Sequence, residues 1–277
     1  MILLRQQILA AVVLVAYVAT VLLAVWGRAY WFRPIRLLIT DRVPLAPKTN
    51  SIELPQLPPA TSSFVVGAIR QFAEMGFVSR GTIHIIERPG KVESWTSLWV
   101  NEESAEFAQV LSTLRLRGGR VFAVNSLLFA TDFTDGTTVA TSTTPAAHGP
   151  SDPNVDYLRA GTITSVSELH RAHRLHVRHL QAERIPTLDR VPDTATRVLQ
   201  RRAEKLERLR EAGYVKFDAR SQEYRTTVKG AILATYLYLW PLKQIRQRRL
   251  ARELTEKLTQ IGYHPTPLPP IPITPSQ

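Results

Sequence analysis

The sequence predicts an α+β protein: a single N-terminal transmembrane helix, an antiparallel β-meander with a packed helix, then a basic helical region with a short β-hairpin. Three observations favour this class. The chain opens with an uncharged apolar run, continues with short apolar runs separated by turn signals, and ends with helical apolar spacing among basic residues. Cysteine is absent from the 277 residues, which excludes disulfides and thiolate metal sites.

The first predicted element is a membrane anchor. Residues 8–26 carry no charged side chain, and a helix of that length is about 28 Å long, close to a hydrocarbon core of roughly 30 Å. A buried helix and a cleaved signal peptide are the alternatives, but no small-x-small cleavage site follows the run. The residues that mark the predicted anchor are Ile8, Leu14, Leu22 and Trp26.

Flanking charge predicts the orientation of this anchor. Arg5 precedes the run, whereas Arg28, Arg33, Arg36 and Arg42 follow it. Because basic flanks favour the cytoplasmic side, we expect a single-pass membrane protein with the bulk of the chain in the cytoplasm.

Composition divides the chain into five expected segments. The excess positive charge is uneven, since residues 28–160 have a net charge of +1 and residues 161–277 of +10. The tail is rich in proline and predicts disorder with a possible protein partner. The segments are 1–42 (anchor and flank), 43–62 (Pro-rich linker), 63–145 (α+β meander domain), 146–262 (basic helical region with hairpin and interfacial segment) and 263–277 (disordered tail).

The meander is predicted from apolar period and turns. Residues 64–77 have helical spacing and end at Gly76. Asp135-Gly136 is a strong hairpin signal because both central residues of a type I′ turn need positive φ. The predicted strands are 82–88, 92–100, 106–116, 121–133 and 137–143.

The basic part predicts a helix over 194–212, with Asp193 as N-cap and Gly213 as the stop, followed by a short hairpin. Residues 230–242 are apolar and aromatic and lead into basic residues. This segment lies on an anionic leaflet, packs in a soluble core, or forms a second span that would be short for a bilayer. The interfacial candidates are Tyr236, Tyr238, Trp240, Lys243, Arg246 and Arg249.

Four histidines recur every three residues at 170, 173, 176 and 179. On a helix this period rotates successive imidazoles around the axis, so four of them cannot grip one ion. His173 falls within the apolar face. A core histidine, a metal pair and a pH-sensitive contact all remain open. The weak metal candidates are His170, His173, His176, Asp132 and Asp135, where the two aspartates also fit a solvent-facing strand edge.

A winged-helix module is a further alternative for the last part of the chain. Residues 206–233 read as a helix, a GYV strand start and YRTTVKG, which resembles the end of such a module. The helix interleaves arginine with glutamate, as solvated helices do, and no preceding pair of helices is evident. Nucleic acid is therefore not the expected partner.

The chain as a whole resembles bacterial membrane-anchored proteins of unknown function. The resemblance covers residues 65–250 and rests on LFATDFTDGTTVATS, on ELHRAH and on YRTTVKGAILATYLYLWPLKQIR. It implies no activity, cofactor or site residue.

The sequence thus predicts a non-catalytic binding, scaffolding or sensing module at the membrane surface. Its expected partners are a lipid bilayer with anionic phospholipid headgroups and a protein that binds the tail; no cofactor or small ligand is assignable. A membrane-bound metal-dependent hydrolase is the second interpretation, and a membrane-tethered winged-helix-like nucleic-acid binder is the third. No nucleotide-binding or hydrolase motif decides between them.

Overall fold

The computed structural model describes residues 2–27, 32–88, 92–117, 120–144, 152–180, 184–188, 194–236 and 242–264. Within them the α-helices are α1 Ile2–Gly27, α2 Arg33–Thr40, α3 Pro59–Glu74, α4 Val166–Leu180, α5 Thr194–Glu211, α6 Val228–Tyr236 and α7 Leu242–Gln260. The strands are β1 Arg42–Pro44, β2 Lys48–Ser51, β3 Val78–Arg88, β4 Val92–Asn101, β5 Glu106–Arg117, β6 Arg120–Phe133, β7 Thr138–Ser142, β8 Val155–Arg159, β9 Pro186–Thr187, β10 Val215–Asp218 and β11 Glu223–Thr226.

The chain divides into two compact units. The smaller unit is Met1–Leu45 with Lys205–Arg248, and the larger unit is Ala46–Glu204 with Arg249–Gln277. In sequence, most of the larger unit therefore lies between the two segments of the smaller one.

The larger unit is built on one sheet with the strand order β2-β3-β4-β5-β6-β7-β8, and β9 pairs with β6. Successive strands are antiparallel up to β7, and β8 runs parallel to β7. The predicted α+β class and antiparallel meander are confirmed. The five predicted strands correspond to β3 through β7, because tight turns and apolar runs are local signals.

One face of this sheet forms the main core with α3 and α4. Phe72 of α3 lies against Phe77, Trp99 and Phe129, with ring centroids 5.6–6.2 Å apart. Helix α3 begins at Pro59, earlier than the sequence predicts, and ends at Glu74, just before the predicted stop at Gly76, whose φ is +82°. The amide of Phe77 donates to the carbonyl of Phe72 at 3.0 Å, which closes the last turn.

The opposite face carries a second apolar cluster that includes Leu98, Phe107 and Ala130. Arg197, near the start of α5, lies over the Phe107 ring at 3.9 Å. The sheet of the larger unit is therefore covered on both faces.

The smaller unit contains a three-stranded antiparallel sheet with the order β1-β11-β10. Tyr224 of β11 lies between Val43 of β1 and Phe217 of β10. The predicted helix, its stop at Gly213 (φ +73°) and the hairpin coincide with α5, β10 and β11. Residues 43–62, expected as a linker, contain β2, a short turn of 3₁₀ helix and the start of α3.

The anchor prediction is wrong. The N-terminal run does form α1, but no helix among the described residues combines the length and the apolarity needed to cross a membrane. The single-pass topology, the cytoplasmic placement and the membrane part of the fold class are corrected with it. Leu14 is exposed; the side chains of Ile8, Leu22 and Trp26 lie outside the described set.

Candidate functional site

Helix α4 places His173 at the centre of its contact with the sheet. The side chain is fully buried, with Nε2 3.0 Å from the Thr131 hydroxyl and Nδ1 3.2 Å from the Thr141 hydroxyl. A neutral imidazole offers one donor and one acceptor, so two hydroxyls satisfy it. Burial, followed by the nearby charges of His170, His176 and Arg174, holds the pKa of His173 well below 6.5. His173 is a neutral core histidine.

The two neighbouring histidines on α4 each face an acid from the sheet. His170 Nε2 lies 2.7 Å from Glu106, and His176 Nε2 lies 3.5 Å from Asp156. Lys257 of α7 also binds Asp156, at 2.5 Å. The hydrogen bond from His176, aided by Lys257, holds the pKa of Asp156 far below its ordinary value. These contacts fix the position of α4 on β5 and β8.

The metal candidates do not converge. Within the described residues, no group of three or more His, Cys, Asp or Glu side chains has the geometry of a metal site. Asp132 instead accepts hydrogen bonds from Arg197 at 2.8 Å and from Arg201 at 3.1 Å, and from the Thr138 hydroxyl at 2.7 Å. It fixes the first turns of α5 on the sheet.

Asp135 closes the predicted turn between β6 and β7. Its carboxylate accepts from the Thr137 amide at 2.9 Å and lies 3.3 Å from Arg184. The hydrogen bond from the Thr137 hydroxyl is the main reason that the pKa of Asp135 is lowered. The sequence offered a solvent-facing strand edge as the alternative to a cation site, and Asp135 itself lies in an exposed turn.

A cleft of about 370 Å³ lies between the β4–β5 turn and the last turns of α4. Two acids and two arginines line it, so it offers no net charge to a ligand. Its lining residues are Glu103, Ser104, Ala105, Glu106, Arg174, Val177, Arg178 and Pro186.

In the smaller unit, the YRTTVKG motif joins the end of α5 to the start of α6. The Thr227 hydroxyl donates to the Gly213 carbonyl at 2.7 Å and accepts from the Gly230 amide at 3.1 Å, so Thr227 is the N-cap of α6. Lys229 donates to the Ala212 carbonyl at 2.8 Å. Gly230 lies so close to Tyr214 that an added Cβ would be 2.1 Å from its carbonyl oxygen. The motif therefore brings the backbone at the start of α6 into close contact with the backbone of Tyr214.

The strand order β1-β11-β10 places β1, from the N-terminal segment of the smaller unit, beside the β10–β11 hairpin. Asp41, just before β1, accepts a hydrogen bond from the Thr226 hydroxyl of β11 at 2.7 Å. The hairpin is thus joined to a strand that precedes it by about 180 residues in the chain.

Charge is concentrated in the smaller unit. Residues 33–45 and 205–248 hold 13 Lys and Arg against 5 Asp and Glu, whereas the whole larger unit holds 20 against 18. Four of those five acids are half-buried and contact Thr226, Arg210, Arg225 or Arg42. Ten of the basic side chains are exposed: Arg33, Arg36, Arg42, Lys205, Arg210, Lys216, Arg220, Lys229, Lys243 and Arg248.

The predicted interfacial residues have different surroundings in the described chain. Tyr236 and Lys243 are exposed and Arg246 is half-buried, while Arg249 is paired with Glu253 at 2.7 Å. Tyr238 and Trp240 lie outside the described residues, as does the tail from residue 265 onward. In the preceding α6, Gly230, Ala231 and Thr235 are buried.

Sequence reasoning missed Glu106 and Asp156 as partners of the α4 histidines, and Arg197 and Arg201 as partners of Asp132. These pairs join residues far apart in the chain, so no local spacing signals them. No family model, curated protein or solved structure matches the chain, and the resemblance to bacterial membrane-anchored proteins stays a prediction.

Proposed function

We propose that the protein is a non-catalytic binding protein whose smaller unit binds nucleic acid through the phosphate backbone. The observation that carries this proposal is the coincidence of the positive charge with the β1-β11-β10 sheet and its hairpin. The sequence alone favoured other partners, because the insertion of residues 46–204 conceals α2 and β1 as parts of the same unit.

The charge arrangement supports an extended anionic partner. In the smaller unit, Glu223 and Glu207 are paired with the exposed Arg42 and Arg210, and Asp218 is paired with Arg225. Basic residues still outnumber acids by 13 to 5 over residues 33–45 and 205–248, so the unit keeps a net positive charge. Exposed basic residues occur on α2, on the β10–β11 hairpin and on α7, and such a spread suits a polymer of regularly spaced phosphates. A small anion would instead need several donors that converge on one point.

Contacts to the backbone are favoured over base reading. The part of α5 in the smaller unit, residues 205–211, carries Glu207 and Glu211 among its basic residues, and Glu207 binds Arg210. Acids on α5 repel phosphate, so the hairpin supplies the main cationic contacts through Lys216 and Arg220. Binding should therefore depend strongly on salt and weakly on sequence.

The larger unit supports the non-catalytic part of the proposal. The side chains that the sequence offered for metal or acid–base chemistry contact structural partners: His173 two threonines, Asp132 two arginines, and His170 a buried glutamate. These contacts hold α4 and α5 on the sheet, so a structural role accounts for the side chains without any catalytic one.

Fluorescence anisotropy with a labelled DNA duplex tests the proposal on the full chain. We expect the affinity to fall steeply between about 50 and 200 mM salt, with a slope of roughly −0.9 for each phosphate contacted. The double substitution Lys216→Glu and Arg220→Glu should weaken binding at least tenfold and reduce the magnitude of the slope by about 2.

Lys48→Glu with Arg70→Glu is the matched control, since it makes the same charge change on exposed residues of the larger unit. It should bind as the native chain does. Absence of binding at low salt, equal weakening by the control, or tighter binding to phosphatidylserine-rich vesicles than to the duplex would each contradict the proposal.

A further inference from the structure

Helix α4 is held on the sheet of the larger unit by a row of three histidines whose surroundings differ. Its two outer histidines, His170 and His176, each have a carboxylate within reach, at 2.7 Å in Glu106 and 3.5 Å in Asp156. The central one, His173, has only hydroxyls, from Thr131 on β6 and Thr141 on β7. The row therefore contains one site that cannot compensate a positive charge.

We propose that α4 is an acid-sensitive latch: protonation of His173 releases the helix from β6 and β7. The inference concerns the larger unit alone and does not depend on nucleic-acid binding.

The groups that face His173 determine whether a proton on its ring stabilises or destabilises the docked helix. From α4 itself come His170, Arg174 and His176, whose charges add to burial in lowering the pKa of His173. The acids of the neighbouring strands, Glu106 and Asp156, contact the outer histidines, and Lys257 of α7 contacts Asp156. Within the described residues, His173 is thus surrounded by positive potential and uncharged hydroxyls.

Protonation has different consequences along the row. A carboxylate lies within reach of His170 and of His176, so a positive charge on either ring has an acid beside it. A proton on His173 places a bare charge in a site with no exposure to water, beside the Phe129 ring at 6.1 Å. Such a charge is strongly disfavoured, so the proton is bound only when α4 leaves the sheet.

The lowered pKa of His173 determines in which direction pH shifts the release of α4. In the released helix its pKa is near 6.5, so below that pH the released state binds one more proton than the docked state. The equilibrium for release then shifts toward opening by about tenfold for each pH unit below 6.5. Above pH 6.5 this term vanishes and the latch is closed.

Release would uncover the side chains that α4 buries. Its apolar face includes Leu169, Ala172 and Val177, and it covers the strand residues Phe129 and Val139. The device therefore converts mild acidity into an exposed apolar surface on the sheet.

Hydrogen exchange on the full chain tests the latch. Between about pH 7.5 and 5.5, we expect protection factors of α4 amides to fall roughly tenfold in the native chain, after correction for the intrinsic rates. His173→Gln, which keeps hydrogen-bonding capacity but cannot bind the proton, should lose this dependence. His179→Gln is the control, because His179 is exposed on the same helix and should behave as the native residue does.

NMR titration of the native chain keeps the test decisive if His173→Gln fails to fold. The His173 ring signal should stay in its neutral position from about pH 7.5 to 5.5, since its pKa lies well below 6.5 while α4 is docked. Unchanged α4 protection in acid, equal behaviour of the two glutamine variants, or protonation of His173 near pH 6.5 in the docked helix would overturn the latch.

Discussion

Replacement of Gly230 by alanine should unfold the smaller unit. The new Cβ would lie 2.1 Å from the Tyr214 carbonyl oxygen and 3.0 Å from its carbon, both backbone atoms. Relief requires α6 to move away from the end of α5, which breaks the hydrogen bonds of Thr227 to Gly213 and Tyr214. We expect a cost of about 3 kcal/mol or more, at the upper end of overpacking effects.

Hydrogen exchange over residues 215–236 measures this directly, and duplex binding should be lost with it. Gly67→Ala is the matched control: Gly67 lies within α3 with open space where a Cβ would be. Alanine there should stabilise the larger unit by roughly 0.5–1 kcal/mol. Native-like protection of residues 215–236 in Gly230→Ala would show that the close approach to Tyr214 is not required.

Replacement of Phe129 by alanine should destabilise the larger unit by about 3–5 kcal/mol. The ring is fully buried, with centroids 5.6 Å from Phe72, 5.8 Å from Phe77 and 4.9 Å from His170. Its removal leaves a cavity bordered by sheet, α3 and α4, and the surrounding rings cannot collapse fully because each is anchored in its own element. Urea denaturation followed by tryptophan fluorescence measures the loss, since Trp95 and Trp99 lie in the same core.

Phe122→Ala separates this effect from a general loss of aromatic surface. Phe122 lies on the same strand, β6, but its side chain is about half exposed. The substitution should change the free energy of unfolding by less than about 0.5 kcal/mol. Equal losses of unfolding free energy at Phe129 and Phe122 would show that Phe129 does not lie in the main core of the larger unit.

Much of the fold is predictable from local sequence signals. Strands β3 to β7 follow from apolar runs bounded by turns, and the end of α5 from Gly213, whose φ of +73° suits glycine. The position of His173 on the inner face of α4 also follows from helical spacing. It recurs at helical intervals with Leu169 and Val177, so the three side chains share the buried face.

Long-range pairing was not predictable. Asp41 binds Thr226 across 185 residues, and Glu106 binds His170 across 64. The residues around β1 give no local sign that this three-residue strand pairs with β11, which follows it by about 180 residues. From sequence alone, the winged-helix alternative therefore rests on residues 206–233 only.

The anchor prediction was wrong about the role of a helix that the sequence predicts correctly. Hydropathy along residues 8–26 predicts a helix, and α1 confirms that much. A membrane span is a further claim about length and apolarity, which no helix of the described residues supports. Composition predicted the element correctly and its role incorrectly.

Hydrogen-exchange mapping of the full chain with and without a DNA duplex tests whether the smaller unit binds nucleic acid. We expect new protection on the β10–β11 hairpin, around Lys216 and Arg220, and on α2 around Arg36, with the strands of the larger unit unchanged. Protection confined to β3–β8, or none in the smaller unit at a salt concentration where the duplex is bound, would contradict it.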